Sequence, residues 1–263
     1  MAFATPLDAM IAAARAAGRS LVRNLAKGDR LSISRKGRGD FVSDADLAAE
    51  KRIATILRTG FPEYGFLMEE SGLEEGRDAD RRWIVDPLDG TTNFLYGVPY
   101  FAVSIALQER GEIVAGLVFD PLRKEMFTAR RSDGAFLNGR RLNVSARRQI
   151  SEGLIVAGIP LRQYHKRDVF SHQLAALRAS VGAIRNMGAA ALDLAYVAAG
   201  RYDAYWEEGQ APWDIAAGLL LVEEAGGRCT DLAGKATMLQ SGTVLATNRH
   251  LHRSLQAALS GCG

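Results

Sequence analysis

The chain has 263 residues, of which 48% are hydrophobic and 24% charged, so its composition is that of a globular protein with a packed core and excludes a largely disordered chain. No run of about 18 apolar residues is present, which argues against a membrane-spanning helix. The formal net charge is +3, but the arginines occur as pairs spread along the chain, which favours a solvated surface over a nucleic-acid-binding face and suits anionic substrates such as phosphate esters.

Two helices are predicted near the N-terminus. Thr5-Pro6-Leu7-Asp8 combines a capping threonine, a proline at the first helical position and an acid in the first turn. Apolar residues then recur at helical spacing as far as Leu25. A second helix is predicted from about residue 46 to residue 58, closed by Gly60 and Pro62.

Strands joined by tight turns are predicted for the middle of the chain. The segments FAVSIALQ and EIVAGLVFD flank a charged turn at Arg110-Gly111, and GAFLNGRRLNV contains the hairpin signal Asn138-Gly139. Beyond about residue 150, strand-like and helix-like segments alternate, which predicts a mixed or parallel sheet covered by helices. No linker or repeat is present, so we expect one domain over residues 1–263, with halves of about 1–148 and 149–263.

The N-terminus and the cysteines both predict a cytoplasmic protein. The first ten residues lack the positively charged start of a signal peptide and include an acid. Cys229 and Cys262 stand far apart and give no disulfide framework, which is typical of a reducing compartment.

Two aspartates follow a buried-looking strand in the segment WIVDPLDGTTNF, residues 83–94. Pro87 interrupts strand pairing and Gly90 permits a sharp turn, so the strand is predicted to end here with Asp86 and Asp89 close together at its carboxyl end. Two buried carboxylates repel each other unless a cation lies between them, and hard oxygen ligands suit Mg²⁺ or Mn²⁺ rather than zinc. The alternative is a turn whose surface aspartates cap a helix.

Two further acids occupy similar junctions. Glu69 in MEESG follows the apolar pair Phe66-Leu67, and Asp214 in APWDIAAG stands at the start of an apolar helix. Either acid alone is explained as a loop residue or a helix cap. Four acids, each at a junction between a loop and a strand or helix, favour a metal site.

The motifs of the chain resemble those of the inositol monophosphatase family, which belongs to the lithium-sensitive, magnesium-dependent phosphatases, and they are most similar to its bacterial branch. The matching segments run nearly end to end and in family order: GDFVSDAD, MEESG, WIVDPLDGTTNF, GAFLNGRRL, GAAALDLAYVAAGRYDAYWEEGQAPWDIAAG and EAGG. The resemblance implies an α/β (α+β) fold, a layered α-β-α-β-α sandwich, and a cytoplasmic, lithium-sensitive homodimer. It implies two or three Mg²⁺ ions, with Mn²⁺ as a substitute, a phosphate monoester as substrate, and no membrane partner.

The resemblance also assigns a role to individual residues. The metal ligands it implies are four side chains and one backbone carbonyl, those of Glu69, Asp86, Asp89, Asp214 and, through its carbonyl, Leu88. The group that positions the attacking water is the Thr91 hydroxyl, with Glu69 and Asp46 behind it. The substrate contacts are Gly90 and Thr91 for the phosphate, Gly188 and Ala190 for the sugar-like ring, Glu207 for its hydroxyls and Asp214 near the leaving group. Lys36 corresponds to a basic residue near a metal-site loop.

These assignments predict a phosphatase that hydrolyses inositol 1-phosphate and related sugar or polyol phosphates by direct attack of a metal-activated water. Fructose 1,6-bisphosphate and histidinol phosphate are the alternative substrates. Met68 and Ala189 depart from the residues of many members, which leaves the substrate preference open while the acids are all present.

Functions of other classes fit the sequence less well. A haloacid-dehalogenase-type nucleophile requires two aspartates spaced two apart, whereas Asp86 and Asp89 are three apart. LAGKA lacks the first glycine and the Ser/Thr of a Walker motif. An RNA- or transcription-complex-binding role would use the basic surface, but no aromatic-rich nucleic-acid motif is present, and nucleic acid is not expected as the main partner.

Overall fold

The structure is a computed structural model that describes residues 3–26, 33–37, 40–159 and 167–260; for residues 33–37, 40–42 and 167 it describes the backbone alone. The helices are α1 (Pro6–Leu25), α2 (Asp44–Gly60), α3 (Thr91–Leu95), α4 (Arg167–Arg178), α5 (Ala190–Ala198), α6 (Pro212–Glu224), α7 (Met238–Ser241) and α8 (His252–Ser260). The strands are β1 (Ile33–Gly37), β2 (Asp40–Ser43), β3 (Tyr64–Met68), β4 (Gly72–Glu74), β5 (Asp78–Asp89), β6 (Ala102–Glu109), β7 (Glu112–Asp120), β8 (Glu125–Arg130), β9 (Gly134–Leu137), β10 (Arg140–Arg141), β11 (Leu154–Ala157), β12 (Ala183–Arg185), β13 (Ala204–Glu208), β14 (Arg228–Thr230) and β15 (Thr243–Thr247).

The strands form two main sheets. Within the described ranges, the larger sheet has the order β10-β9-β8-β7-β6-β5-β3-β4, and the smaller has the order β12-β11-β13-β15-β14. Neighbours in the larger sheet are antiparallel except for the parallel pair β3–β5. In the smaller sheet, β11 is parallel to both of its neighbours and the remaining pairs are antiparallel. The smaller sheet is therefore mixed, as the alternation of segments predicted.

The helices alternate with the sheets in layers. α1 and α2 share an apolar core with β5, β6 and β7 on one face of the larger sheet. α5 and α6 fill the space between the two sheets. α4 and α8 cover the outer face of the smaller sheet. This arrangement is the α-β-α-β-α sandwich implied by the family resemblance, and that prediction is confirmed. No helix in these ranges is both long enough and apolar enough to cross a lipid bilayer.

Side-chain caps fix where the first two helices begin. The Asp8 carboxylate accepts a hydrogen bond from the Thr5 backbone N–H at 3.0 Å, and the Thr5 hydroxyl accepts from the Asp8 N–H at 3.2 Å. The same capping box joins Ser43 to Asp46 before α2, with 2.9 Å between the Ser43 nitrogen and the carboxylate. α2 therefore begins two residues before the predicted start, because Ser43 is its cap.

The predicted turns are confirmed. Arg110 and Gly111, between β6 and β7, have φ angles of 51° and 86°. Asn138 and Gly139, between β9 and β10, have φ angles of 48° and 80°, as a two-residue hairpin turn requires. The short strands β3, β4, β12 and β14 were not predicted, because segments of three to five residues carry too little alternation to be recognised.

Pro87 interrupts the pairing of β5 near its carboxyl end, as predicted, but the strand does not stop there. β5 continues through Pro87 to Asp89 beside β6. Asp86 pairs with Ser104 and Asp89 with Ala102, so β5 has one residue more than β6 across this step. Such a bulge accommodates a proline, which has no N–H to donate, without ending the strand.

A close approach of two central helices supports the site described below. A Cβ atom at Gly218 of α6 would lie 2.5 Å from the Leu194 Cβ of α5. We expect Gly218→Ala to lower the free energy of unfolding by about 1–3 kcal/mol, because the helices would have to move apart. Alanine alone favours a helix by about 1 kcal/mol over glycine. Chemical denaturation is the measurement, and equal or higher stability would contradict the tight packing.

Candidate active site

A cavity of about 210 Å³ opens where the carboxyl end of β5 meets the first turns of α5 and α6. It brings together ten residues that the sequence predicted for the site: Glu69, Asp86, Leu88, Asp89, Gly90, Thr91, Gly188, Ala190, Glu207 and Asp214. Asp46 lies behind Thr91, in hydrogen-bonding contact with it. The side chain of Lys36 lies outside the described residues.

Asp89 connects the end of β5 to the start of α5. Asp89 is 7% exposed, and its carboxylate accepts hydrogen bonds from the backbone N–H groups of Ala190 at 3.0 Å and Ala191 at 2.8 Å. Free N–H groups at a helix start attract negative charge. Asp89 therefore both faces the cavity and anchors the helix that carries Ala190.

The acids of the cavity repel one another. Burial, followed by the neighbouring Glu69, Asp89 and Asp214 carboxylates, raises the pKa of Asp86 well above its usual range. Burial and the Asp214 carboxylate raise the pKa of Asp89 to about 8. A divalent cation in the cavity would reverse this effect, because it favours the ionised form of every carboxylate near it.

The residues present fit a hard cation by their chemistry. Every predicted ligand offers oxygen, and one oxygen of Asp86 is held by the Leu88 N–H at 2.9 Å. In the described part of the chain, no three His, Cys, Asp or Glu side chains lie close enough together to hold an ion as they stand. The carboxylates nevertheless line one cavity, and a bound ion would draw them inward from their present contacts.

A threonine and a buried aspartate stand beside these acids. The Thr91 hydroxyl lies 3.1 Å from the Asp46 carboxylate and 3.0 Å from the Leu88 carbonyl, and it can donate to either. Asp46 is fully buried at the start of α2, and burial raises its pKa while hydrogen bonds from Ser43 and Thr91 oppose that shift. The threonine oxygen keeps lone pairs for a water that enters the cavity.

Two residues that hold parts of the site in place were not predicted from the sequence. Glu50 of α2 is 3% exposed and accepts a hydrogen bond from the Glu70 N–H at 2.9 Å, which holds the loop that carries Glu69. The Asn93 amide donates to the carbonyls of Tyr100 and Met187, both at 2.8 Å, which ties α3 to the segment before α5. Glu50 lies one helical turn after Asp46 on the same face of α2, and that spacing was an available signal.

Glycine is required at one turn of the cavity. Gly90 has a φ angle of 90° and precedes α3. A Cβ atom there would lie 3.1 Å from both the Ala189 Cβ and the Tyr100 carbonyl oxygen. The turn after Asp89 therefore requires glycine, and both Gly90 and Thr91 line the cavity.

Comparison with known proteins identifies relatives along the whole chain. The model of the inositol monophosphatase family matches residues 4–262. An inositol-1-monophosphatase of Mesorhizobium japonicum is 49% identical over 98% of this chain and 97% of its own length. A protein of Pseudomonas aeruginosa named Nus factor SuhB is 45% identical over 95% of this chain and 93% of its own.

Solved structures show the same architecture. The extragenic suppressor protein suhB of Bartonella henselae has a TM-score of 0.94 and 48% identity, covering 96% of this chain and 97% of its own. An IMPase/NADP phosphatase complexed with Mg²⁺ and phosphate has a TM-score of 0.78 and 25% identity, covering 90% of this chain and 88% of its own.

Proposed function

The chain belongs to the inositol monophosphatase family and is a phosphatase, and we propose that it hydrolyses inositol 1-phosphate and related polyol or sugar phosphate monoesters with Mg²⁺. The observation that carries this proposal is the crowding of acids around one cavity beside the Thr91–Asp46 pair. Such an arrangement suits metal-assisted transfer of a phosphoryl group to water.

The ligands we propose for the ions are Glu69, Asp86, Asp89 and Asp214 through their side chains and Leu88 through its carbonyl. Bound Mg²⁺ supplies charge neutralisation of the phosphate and a lowered pKa of water. The Thr91 hydroxyl donates to Asp46 and accepts from the attacking water, which orients the water toward phosphorus. The backbone N–H groups of the turn at Gly90 donate hydrogen bonds to phosphate oxygens. Glu207 on β13 accepts hydrogen bonds from the hydroxyl groups of the leaving alcohol.

Substrate choice is tested by comparing phosphate release at fixed Mg²⁺ from four esters: inositol 1-phosphate, fructose 1,6-bisphosphate, histidinol phosphate and 3′-phosphoadenosine 5′-phosphate. We expect the highest kcat/KM for inositol 1-phosphate, because Glu207 lines the cavity and suits a polyhydroxyl ring. A higher value for fructose 1,6-bisphosphate or histidinol phosphate would assign the chain to that substrate.

Magnesium is expected to stabilise the folded protein more at pH 8 than at pH 5. A carboxyl whose pKa is raised to about 8 binds a proton more tightly in the folded state, so the metal-free protein loses stability as the pH rises from about 4 to 8. One pKa unit corresponds to about 1.4 kcal/mol, and 1 kcal/mol shifts the Tm of a chain of this size by about 2–4 °C. We therefore expect the Tm in EDTA to be at least about 5 °C lower at pH 8 than at pH 5. Adding Mg²⁺ at pH 8 should restore most of this difference in Tm. An equal effect of Mg²⁺ at both pH values would contradict the proposed ligands.

The remaining family traits are proposed for this chain as well: two or three ions per site, activity with Mn²⁺, inhibition by lithium, a homodimer and a cytoplasmic location. Sedimentation velocity distinguishes a dimer from a monomer. Inhibition of phosphate release by millimolar lithium is the corresponding test of lithium sensitivity.

A second candidate function is binding of RNA or of a transcription complex. A relative of 45% identity is named a Nus factor. Arg15, Arg19 and Arg23 recur once per turn along α1, which gives one face of that helix a row of positive charge. A gel shift of a single-stranded RNA that weakens steeply with salt would support this role, and its loss in a variant with all three arginines replaced by glutamine would locate it.

A further inference from the structure

Glu207 stands in a setting that fixes where its carboxylate lies. It is the fourth residue of β13, partly buried, and it lines the same cavity as the acids. Tyr205 precedes it by two residues, so both side chains point to the same face of the strand. The Tyr205 hydroxyl lies 2.7 Å from Glu207 Oε2.

Tyr205 can act only as a donor in this contact. Its side chain is fully buried in the core between the two sheets. Burial and the neighbouring Glu207 carboxylate raise the pKa of Tyr205 well above its usual range, so the hydroxyl keeps its proton. The hydrogen bond therefore holds Glu207 Oε2 in place, and a carboxylate has about four lone-pair sites, so Glu207 can also accept a hydrogen bond from a ligand.

Gly158 supplies the space that the carboxylate occupies. β11 and β13 are parallel, with Ala157 beside Trp206, and the Gly158 N–H donates to the Trp206 carbonyl at 3.0 Å. A Cβ atom at Gly158 would lie 1.7 Å from Glu207 Oε2 and 1.8 Å from its Cδ. Any side chain at this position would push the Glu207 carboxylate away, although the end of a glutamate can move without disturbing the backbone.

We infer that Tyr205 and Gly158 are positioning residues that set the Glu207 carboxylate for hydroxyl groups of the leaving alcohol, and that they make the enzyme selective for phosphate esters of polyols. This inference rests on the proposed function and deepens it. Without the hydrogen bond, or with a methyl group in place of the Gly158 hydrogen, the carboxylate occupies other positions and its contact with the substrate weakens. Esters whose alcohol has no further hydroxyl lose nothing by that change.

The test compares kcat/KM for inositol 1-phosphate with kcat/KM for p-nitrophenyl phosphate, whose leaving group carries no further hydroxyl. We expect Tyr205→Phe and Gly158→Ala each to lower the ratio of the two values by about tenfold, since a hydrogen bond to a charged group contributes on this scale. The loss should appear mainly as a higher KM for inositol 1-phosphate. Tyr202→Phe is the matched control, because Tyr202 is a buried tyrosine whose hydroxyl lies 3.5 Å from that of Tyr100, and it should leave the ratio unchanged.

Glu207→Ala separates positioning from a general structural effect. It should lower the same ratio, and adding Gly158→Ala or Tyr205→Phe to it should cause no further fall, because both act through the carboxylate. Single variants that lower both substrates equally, or that act with the same strength in the Glu207→Ala background, would overturn the inference. If the unaltered protein releases no phosphate from inositol 1-phosphate but does so from p-nitrophenyl phosphate, the proposed substrate class fails and the inference falls with it. If the unaltered protein hydrolyses both esters and the ratio is the same in the Tyr205→Phe and Gly158→Ala variants, the inference fails while the proposed function stands.

Discussion

Asp89→Asn is expected to lower kcat/KM for phosphate release from inositol 1-phosphate by at least about a thousandfold. The carboxylate supplies negative charge where four acids meet, and its loss would weaken the hold on cations that contribute several kcal/mol to the transition state. Burial and the Asp214 carboxylate raise the pKa of Asp89 to about 8, so a cation beside this carboxyl is needed to keep it ionised at neutral pH. Steady-state kinetics over a range of Mg²⁺ concentrations is the measurement.

Asp89 also has a structural role, and its effect on stability must be measured separately from its effect on activity. Its oxygens accept hydrogen bonds from the N–H groups of Ala190 and Ala191. Asparagine at this position therefore also weakens the start of α5 and lowers the free energy of unfolding by about 1 kcal/mol. Chemical denaturation measures that part. Asp231→Asn is the matched control, since Asp231 is buried, holds a turn through Lys235 and lies outside the cavity lining. A folded Asp89→Asn variant with activity within tenfold of the unaltered protein would contradict its role as a ligand.

Thr91→Val is expected to lower kcat by about a hundredfold, with a smaller change in KM. Valine has nearly the same shape but cannot donate to Asp46 or accept from water, and positioned proton-transfer groups contribute about 10²- to 10⁴-fold. Thr91→Ser keeps the hydroxyl and should restore most of the activity. Equal activity of the valine and serine variants would show that the hydroxyl has no part in the reaction.

The helices were predictable because their signals are local. Thr5 and Asp8 form the capping box that their spacing indicated. Pro87 predicted the interrupted pairing of β5 but not that pairing resumes at Asp89, because a proline can either end a strand or lie in a bulge, and here β5 has one residue more than β6 across this step. The order of the layers came from the family resemblance, since periodicity describes single elements and not how they stack.

The acids of the site were predictable because Glu69, Asp89 and Asp214 stand at or beside the end of a strand or helix, and Asp86 shares a motif with Asp89. Their supporting contacts were not. Asn93 reaches the Met187 carbonyl 94 residues away, and Asp89 reaches the Ala190 N–H 101 residues away. Gly158 has no motif around it, and its meaning appears only when the parallel pairing of β11 and β13 places it against Glu207. Contacts of this kind depend on the pairing of distant elements, which a single sequence does not display.

If the crowded acids hold magnesium for the hydrolysis of a phosphate monoester, phosphate release by the purified protein must depend on Mg²⁺. Release from inositol 1-phosphate is measured first in EDTA and then with Mg²⁺ added. We expect no release above background in EDTA and full, saturable activity when Mg²⁺ is restored. Equal release in both conditions, or none in either from a folded protein, would contradict it.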